Sequence, residues 1–119
     1  MNGYGKKELN QLLDKVDLNN KTYLLITKKL AASKGYDPDL LSISSRPGKK
    51  LNYNGTHFGS SHNNDFIIYS VMAKNGDITK EEAANHRKRY LTRARKIKGE
   101  WKTNKESPNN LAIRILWNG

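Results

Sequence analysis

Cysteine is absent from this chain of 119 residues, so neither a disulfide nor a thiolate metal site can form. Long hydrophobic runs are missing as well, because no apolar segment reaches the ~18 residues that a membrane span needs. The N-terminal residues, MNGYGKKELNQ, lack the apolar core of a signal peptide. We therefore expect a protein of a cytosol, or of an assembly built in one, without a membrane partner.

Acidic residues are scarce: 11 Asp and Glu stand against 22 Lys and Arg, which gives a net charge of +11 at pH 7. The basic residues occur in both halves of the chain, so this is not a neutral domain with a basic tail. Such a charge favours a polyanion, with nucleic acid first, an acidic membrane surface second and an acidic protein third. No feature indicates a cofactor or a small-molecule substrate.

One long helix, predicted over residues 79–98, is the clearest element of the sequence. Thr79 and Glu82 have the spacing of a capping box at its start. From residue 87 onward the helix carries seven Lys and Arg and no acid, which suits the helix dipole. Gly99 is placed to end it. At about 100° per residue one stripe is apolar; it comprises Ala83, Ala84, Tyr90, Leu91, Ala94 and Ile97.

The opposite side of this helix is strongly cationic and is the candidate binding surface. Arg89, Arg93 and Lys96 recur at spacings of three and four residues, so they share one side over two turns. No acid precedes them at salt-bridge spacing, so their charges are free to meet phosphates. The alternative is an ordinary solvated face. The predicted nucleic-acid-binding residues are Lys88, Arg89, Arg93, Arg95, Lys96, Lys49 and Lys50.

The rest of the chain predicts an α+β fold: a small antiparallel sheet with a central hairpin, packed against one long amphipathic helix and short terminal helices. Asn54-Gly55 is the hairpin turn signal. The other predicted elements are a helix over 6–16, strands over 21–29, 40–45 and 65–72, a hairpin over 50–58, and a short helix or an edge strand over 109–117. We expect one basic domain over 1–119, with a helical arm at 1–20 and a core at 21–119.

The segment that follows the hairpin turn contains two histidines and an aspartate. His57, His62 and Asp65 are residue types that bind divalent metals, so they indicate a metal-dependent nuclease site as one hypothesis. The alternative is a hairpin end followed by a polar turn. We favour it, because the usual two-histidine spacing and a second carboxylate pair are missing. Gly55, Gly59 and the Ser60-Ser61 pair could hold a phosphate through backbone amides, and we favour turn structure for them instead. We assign no catalytic residue and no metal ligand.

Several large side chains are interpreted as structural. Arg87 lies in the apolar stripe of the long helix and is expected to pair with a buried acid, Asp65 or Asp77, unless its chain snorkels outward. Trp101 and Trp117 are expected to anchor the core ahead of stacking on bases. The patterns assign the core role also to Tyr53, Phe58, Tyr69 and Tyr90.

Four short segments carry a resemblance to a known family. They are Gly55-Thr56-His57-Phe58-Gly59, Asp65-Phe66, Arg89-Tyr90-Leu91-Thr92-Arg93 and Ile115-Leu116-Trp117. Over roughly 49–118 the chain resembles small basic proteins encoded by large double-stranded DNA viruses and some phages. Where those proteins often have histidine after the last arginine, this chain has Ala94. The resemblance implies a viral context and a compact basic domain, and it implies no catalytic residue.

Charge, motifs and resemblance together predict a non-enzymatic structural component of a virion or nucleoprotein particle. It would contact the phosphate backbone of nucleic acid, other virion proteins or an acidic shell surface through the basic helix. One alternative is a soluble nucleic-acid-binding factor that acts during infection, and another is a small metal-dependent nuclease. The expected location is the virion, or the host cytoplasm during infection.

Overall fold

The computed structural model describes residues 4–119, with side chains from Lys6 onward. The helices are α1 (Tyr4–Asp14), α2 (Asn20–Ser33), α3 (Phe66–Lys74), α4 (Lys80–Arg95) and α5 (Pro108–Leu111), which continues as a π-helical turn over Ala112–Leu116. The strands are β1 (Leu41–Ile43), β2 (Lys49–Tyr53) and β3 (Thr56–Ser60), and short 3-10 turns cover Pro38–Leu40 and Trp101–Thr103. The predicted α+β class is confirmed.

The sheet is a three-stranded antiparallel meander in the order β1-β2-β3. Its centre is the predicted hairpin, in which Leu51 faces Phe58 across the β2–β3 pair. Asn54 and Gly55 both have positive φ, of 50° and 92°. A two-residue hairpin turn of this kind matches the right-handed twist of its strands, which is why the Asn-Gly signal was reliable.

Two predicted strands are helices, and both predictions were wrong for the same reason. The segment predicted as a strand over 21–29 lies in α2, which buries Tyr23, Thr27 and Ala31 at a spacing of four residues. The segment predicted as a strand over 65–72 is α3, whose N-cap is Asp65. Short runs rich in β-branched residues fit either period, and tertiary packing decided for the helix.

The long helix begins as predicted and ends earlier. Thr79 and Glu82 form both bonds of the capping box, each 3.0 Å long. The helix stops at Arg95, so Gly99 is not its C′ residue, and Ile97 is 52% exposed instead of in the core. Ala84 is exposed as well. The core face of α4 is therefore carried by Ala83, Leu91 and Ala94, with Tyr90 half-buried.

The C-terminal segment is the predicted helix and not an edge strand. The Ser107 hydroxyl caps it by accepting a hydrogen bond of 3.2 Å from the Asn110 amide, and Pro108 occupies its first turn. This segment forms much of the core, together with α1, α2 and the sheet. The most deeply buried apolar side chains include Leu9, Leu13, Tyr23, Leu51, Phe58, Ile68, Leu111, Ile115 and Leu116.

α3 packs along α4, and the C-terminal segment contacts β3 and α2. This arrangement places one side of α4 beside the hairpin and the C-terminal segment, which is where the candidate site lies. Among the residues that the structure describes, no helix combines the length and the apolar character needed to cross a membrane.

Candidate nucleic-acid interface

The predicted cations of α4 and its C-cap are exposed and carry uncompensated charge. Lys88, Arg89, Arg93, Arg95 and Lys96 are all exposed. Among the described side chains, the only Lys or Arg within 4.0 Å of an Asp or Glu carboxylate is Lys50. The charges on α4 are therefore not consumed by local ion pairs, as the sequence predicted.

The five cations do not form one surface. Arg89 and Arg93 line an open cleft of about 610 Å³. Arg95 lies about 120° around the helix from Arg89 and lines a second, smaller cleft with Trp101 and Arg114. Lys88 and Lys96 line neither of these clefts. Arg89 and Arg93 are therefore the two cations of α4 that line the larger cleft.

The larger cleft, which we call the α4 cleft, is built by four segments of the chain. These segments are α4, the β2–β3 hairpin, the α3 N-terminal loop and the C-terminal segment. Its lining residues are Lys49, Lys50, Gly59, Ser60, Asn63, Asn64, Asp65, Tyr69, His86, Arg89, Tyr90, Arg93, Ile97, Pro108, Asn109, Ala112, Leu116 and Trp117. Cations, amides and aromatic rings thus meet in one concave surface.

Four rings form an aromatic array along the α4 cleft. Tyr69 stacks on His86 with ring centroids 4.0 Å apart, and Tyr90 stacks on Trp117 at 4.1 Å. Tyr69 and Trp117 connect the two stacks at 6.1 Å. Trp117 is buried, at 8% exposure, which agrees with its predicted role as a core anchor, whereas the other three rings are half-buried. The array is both a core element and a wall of the cleft.

His86 is a member of the site that the sequence reasoning missed. Its Nδ1 lies 3.1 Å from an Nη2 of Arg89. Because a guanidinium group only donates, Nδ1 must accept, and the proton of the neutral imidazole is then on Nε2. The available signal was the helical spacing of His86, Arg89, Tyr90 and Arg93, which places one histidine, one ring and two cations on the same flank.

Lys50 was predicted to bind nucleic acid, and the structure contradicts that prediction. Its side chain is buried, and its Nζ donates to an Asp65 carboxylate oxygen at 2.8 Å and to the Asn63 carbonyl at 2.6 Å. A buried lysine that is already paired has no charge to offer a phosphate. Lys49, the preceding residue, is half-buried and remains at the cleft.

Asp65 is the centre of a buried polar network. Besides Lys50, its carboxylate accepts hydrogen bonds from the Tyr23 hydroxyl and from the Ile68 amide, the latter at 3.0 Å. Burial, followed by the negative charge of Asp65, raises the pKa of the Tyr23 hydroxyl well above its ordinary value. The network joins α2, β2 and the start of α3, and its role is to fix the floor of the α4 cleft.

The three residues of the nuclease hypothesis do not converge. His57 Nδ1 lies 2.7 Å from the Ser44 hydroxyl, and His62 pairs with Glu8 at 3.1 Å, whereas Asp65 belongs to the buried network. Partial burial and the nearby positive charges of Arg46 and Lys49 lower the pKa of His57. Within residues 4–119 no three His, Asp or Glu side chains are grouped as a metal site would require.

Arg87 has carbonyl partners in place of the predicted acid. Its Nε donates to the Trp117 carbonyl at 2.9 Å and its Nη2 to the Asn118 carbonyl at 2.7 Å, while the guanidinium lies 5.6 Å from the Phe66 ring centre. The prediction that Arg87 pairs with Asp65 or Asp77 was wrong. Arg87 instead ties α4 to the C-terminal segment and so holds the aromatic array in place.

Gly59 serves close packing at the cleft. Its φ is +80°, and a Cβ at this position would lie 2.6 Å from Leu116 Cδ1. A side chain here would both strain the backbone and collide with the C-terminal segment. Gly59 therefore brings β3 against the π-helical turn, and it lies within the strand instead of in the predicted turn.

Comparison of the chain with protein-family models, with curated proteins and with solved structures found no match. The resemblance to proteins of large DNA viruses therefore stays a prediction.

Proposed function

We propose that this protein is a non-enzymatic nucleic-acid-binding protein that holds the phosphate backbone with α4, in the setting of a virion or nucleoprotein particle. Arg89 and Arg93 make the main contacts from the wall of the α4 cleft, and Lys96 extends them along the same side of the helix. Lys49 adds a contact from the hairpin. Phosphate contacts of this kind position a nucleic acid without specifying its sequence.

A single observation supports this proposal most directly: the cations of α4 are exposed and unpaired. In a chain with 22 basic residues, only Lys50 among the described Lys and Arg side chains pairs with an Asp or Glu carboxylate. Cations packed three and four residues apart repel one another, and a bound polyanion relieves that repulsion. A protein under selection for stability alone would gain from acids at these positions.

The test is a salt titration of binding to duplex and single-stranded DNA. The variant Arg89→Ala/Arg93→Ala/Lys96→Ala removes three exposed cations. Each lost phosphate contact reduces the slope of log affinity against log salt by ~0.9 on duplex and ~0.7 on single strands. We expect this variant to lose about two to three phosphate contacts, each of which reduces the slope by that amount. Its sequence preference should change little.

A matched control removes the same charge elsewhere. Lys15, Lys21 and Lys29 are exposed and line neither of the two clefts. Measured at about 0.15 M salt and above, where charges distant from the contact are screened, the variant Lys15→Ala/Lys21→Ala/Lys29→Ala should keep nearly the wild-type slope. Equal slopes for wild type and the α4 variant would contradict the proposal, and so would equal losses in both variants, because the effect would then be one of net charge only.

The particle setting has its own test. A structural component is present in purified particles at a fixed ratio to the other structural proteins, whereas a soluble factor is found in infected cells and not in particles. Quantitative mass spectrometry of both fractions separates the two functions. Absence from particles would leave nucleic-acid binding intact and assign it to the soluble factor.

A further inference from the structure

We propose that the α4 cleft binds one unpaired nucleotide of a single-stranded nucleic acid, with its phosphate between Arg89, Arg93 and Lys49 and its base against the aromatic array. This inference rests on the proposed function and adds what the general backbone contact does not contain: a preference for single strands over duplex and a defined place for a base.

The charges of the cleft favour a phosphate group. Arg89 and Arg93 lie on the α4 wall, and Lys49 lies on the hairpin wall. The only acid that lines the cleft is Asp65, and its charge is balanced by Lys50 at 2.8 Å. The cleft thus carries an uncompensated excess of three positive charges, the charge of Lys50 and Asp65 cancelling. Guanidinium groups also match the geometry of phosphate oxygens.

The base would lie against rings that are already held in place. His86 and Tyr90 are half-buried members of stacked pairs, each lying within 4.1 Å of its partner ring. Because these rings are fixed by stacking and by Arg87, a base that stacks on them orders few side chains. Stacking on aromatic side chains is how proteins generally hold unpaired bases.

Amide groups face this place from the other walls. Asn63 and Asn64 line the cleft, and their side chains form no hydrogen bond with another described residue. Asn109 donates from Nδ2 to the Ala94 carbonyl at 3.1 Å, so its carbonyl oxygen remains an acceptor. Amides supply both donors and acceptors to the edge of a base, and only an unpaired base presents its Watson–Crick edge.

The size of the cleft matches one nucleotide and not a duplex. A volume of about 610 Å³ lies in the range of pockets that enclose a small-molecule-sized group. A nucleotide fits that range, whereas a base within a duplex is stacked and paired and cannot reach the aromatic array without being flipped out. Duplex DNA would therefore contact the exposed cations of α4 through its phosphates and leave the aromatic array without a base.

The experiment compares three oligonucleotides of equal length: single-stranded oligothymidylate, its duplex with oligoadenylate, and an abasic strand with the same phosphates and no bases. Binding of the unmodified protein is followed by the fluorescence anisotropy of a dye at one end of each oligonucleotide. We expect oligothymidylate to bind roughly 10-fold more tightly than the abasic strand, the range that one stacked base supplies. Trp101→Phe leaves Trp117 as the only indole, and its fluorescence should respond to oligothymidylate and not to the duplex.

Single substitutions separate the contribution of the phosphate contacts to affinity from that of the base contacts. Arg93→Ala should weaken binding of both single strands, whereas Arg95→Ala, a change of equal charge on another side of the same segment of α4, should leave both affinities nearly unchanged. His86→Ala should reduce the affinity for oligothymidylate and leave that for the abasic strand nearly unchanged. A loss confined to one of the two strands cannot be caused by general unfolding.

The outcomes separate this inference from the function on which it rests. Equal affinities for the abasic strand and oligothymidylate, with a salt slope that still depends on Arg89 and Arg93, would overturn the nucleotide site and keep backbone binding. No binding of any of the three would overturn both. Polyglutamate competing as well as oligothymidylate would identify the cleft as a site for an acidic protein and would also overturn the inference.

Discussion

Two adjacent lysines on β2 show how a single residue's role depends on distant partners. Lys49 lies at the rim of the α4 cleft, whereas Lys50 is 1% exposed and paired with Asp65. Successive residues of a strand face opposite ways, so one of the two had to turn inward. Nothing in the local sequence indicates which, because the acid that makes burial possible comes 15 residues later.

Removal of the buried positive charge tests this assignment. Lys50→Met keeps the length of the side chain but leaves the Asp65 carboxylate buried without its cation. Breaking a buried pair on one side costs about 3–5 kcal/mol, so the free energy of unfolding should fall by that amount. The measurement is urea denaturation, with Lys49→Met as the control at a half-buried neighbour. Equal midpoints for the two variants would contradict the buried pair.

The Tyr23 hydroxyl predicts a dependence of stability on alkaline pH. Its pKa in the fold is raised well above the ordinary 10.0, first by burial and then by Asp65. In the unfolded chain the hydroxyl ionises near its ordinary pKa, so above about pH 10 the unfolded state holds fewer protons and stability falls as pH rises. Stability from this group is therefore fully present below that pH and lost above it.

Tyr23→Phe should remove this part of the pH dependence. Melting temperatures of wild type and variant are compared from about pH 8 to about pH 11, the range in which the unfolded hydroxyl titrates. The variant should be less stable at neutral pH, because it lacks the hydrogen bond to Asp65, and its decline at high pH should be shallower. Two curves that run parallel through this range would refute the raised pKa.

At the scale of elements, prediction succeeded where the signal is local. The capping box at Thr79 and the Asn54-Gly55 turn each encode their geometry within a few residues, and both were confirmed. α2 and α3 were predicted as strands, because β-branched runs carry no clear period. The caps at Asn19 and Asp65 were usable local signals for α2 and α3, whereas the choice of helix over strand within each run depended on packing against the rest of the core.

The core faces of α3 and α4 give a prediction for these elements. Leu91 is 5% exposed on α4 and Ile67 is 6% exposed on α3. Leu91→Ala and Ile67→Ala should each lower the free energy of unfolding by about 2–5 kcal/mol, since each leaves a cavity between packed helices. Ile97→Ala is the control, because Ile97 lies beyond the end of α4 and is 52% exposed. Thermal and urea unfolding of the three variants should separate the first two from the third.

At the scale of the whole molecule, the candidate site was only partly predictable. Charge alone predicted Arg89, Arg93 and Lys49, which line the α4 cleft. The prediction that Lys50 binds nucleic acid was wrong, because its charge is paired with Asp65. His86 was missed, and so were the asparagines, because α4, the hairpin, the α3 loop and the C-terminal segment meet only in the fold. Charge density along a helix is visible in a sequence, and the concave surface that gives it a binding geometry is not.

The net charge of +11 predicts how the whole surface and the cleft divide binding kinetics. The molecule measures 38 × 35 × 23 Å. At about 0.01 M salt the screening length is ~30 Å, so cations anywhere on the surface attract a nucleic acid, whereas at about 0.15 M it is ~8 Å and only cations near the contact act. The variant Lys15→Ala/Lys21→Ala/Lys29→Ala should therefore slow association at low salt and associate at the wild-type rate at physiological salt.

The cleft cations should act on dissociation instead. Under the proposed function Arg93→Ala removes a charge that touches the bound phosphate, so the complex should dissociate faster at both salt concentrations, as contact mutations generally do. The variant Lys15→Ala/Lys21→Ala/Lys29→Ala, called the distal variant, loses three charges that do not line the cleft. Its dissociation rate should therefore equal that of the wild type. Stopped-flow association and surface-based dissociation with one oligonucleotide measure both rates. A faster dissociation in the distal variant, or an unchanged one in Arg93→Ala, would mean that the polyanion does not lie in the α4 cleft.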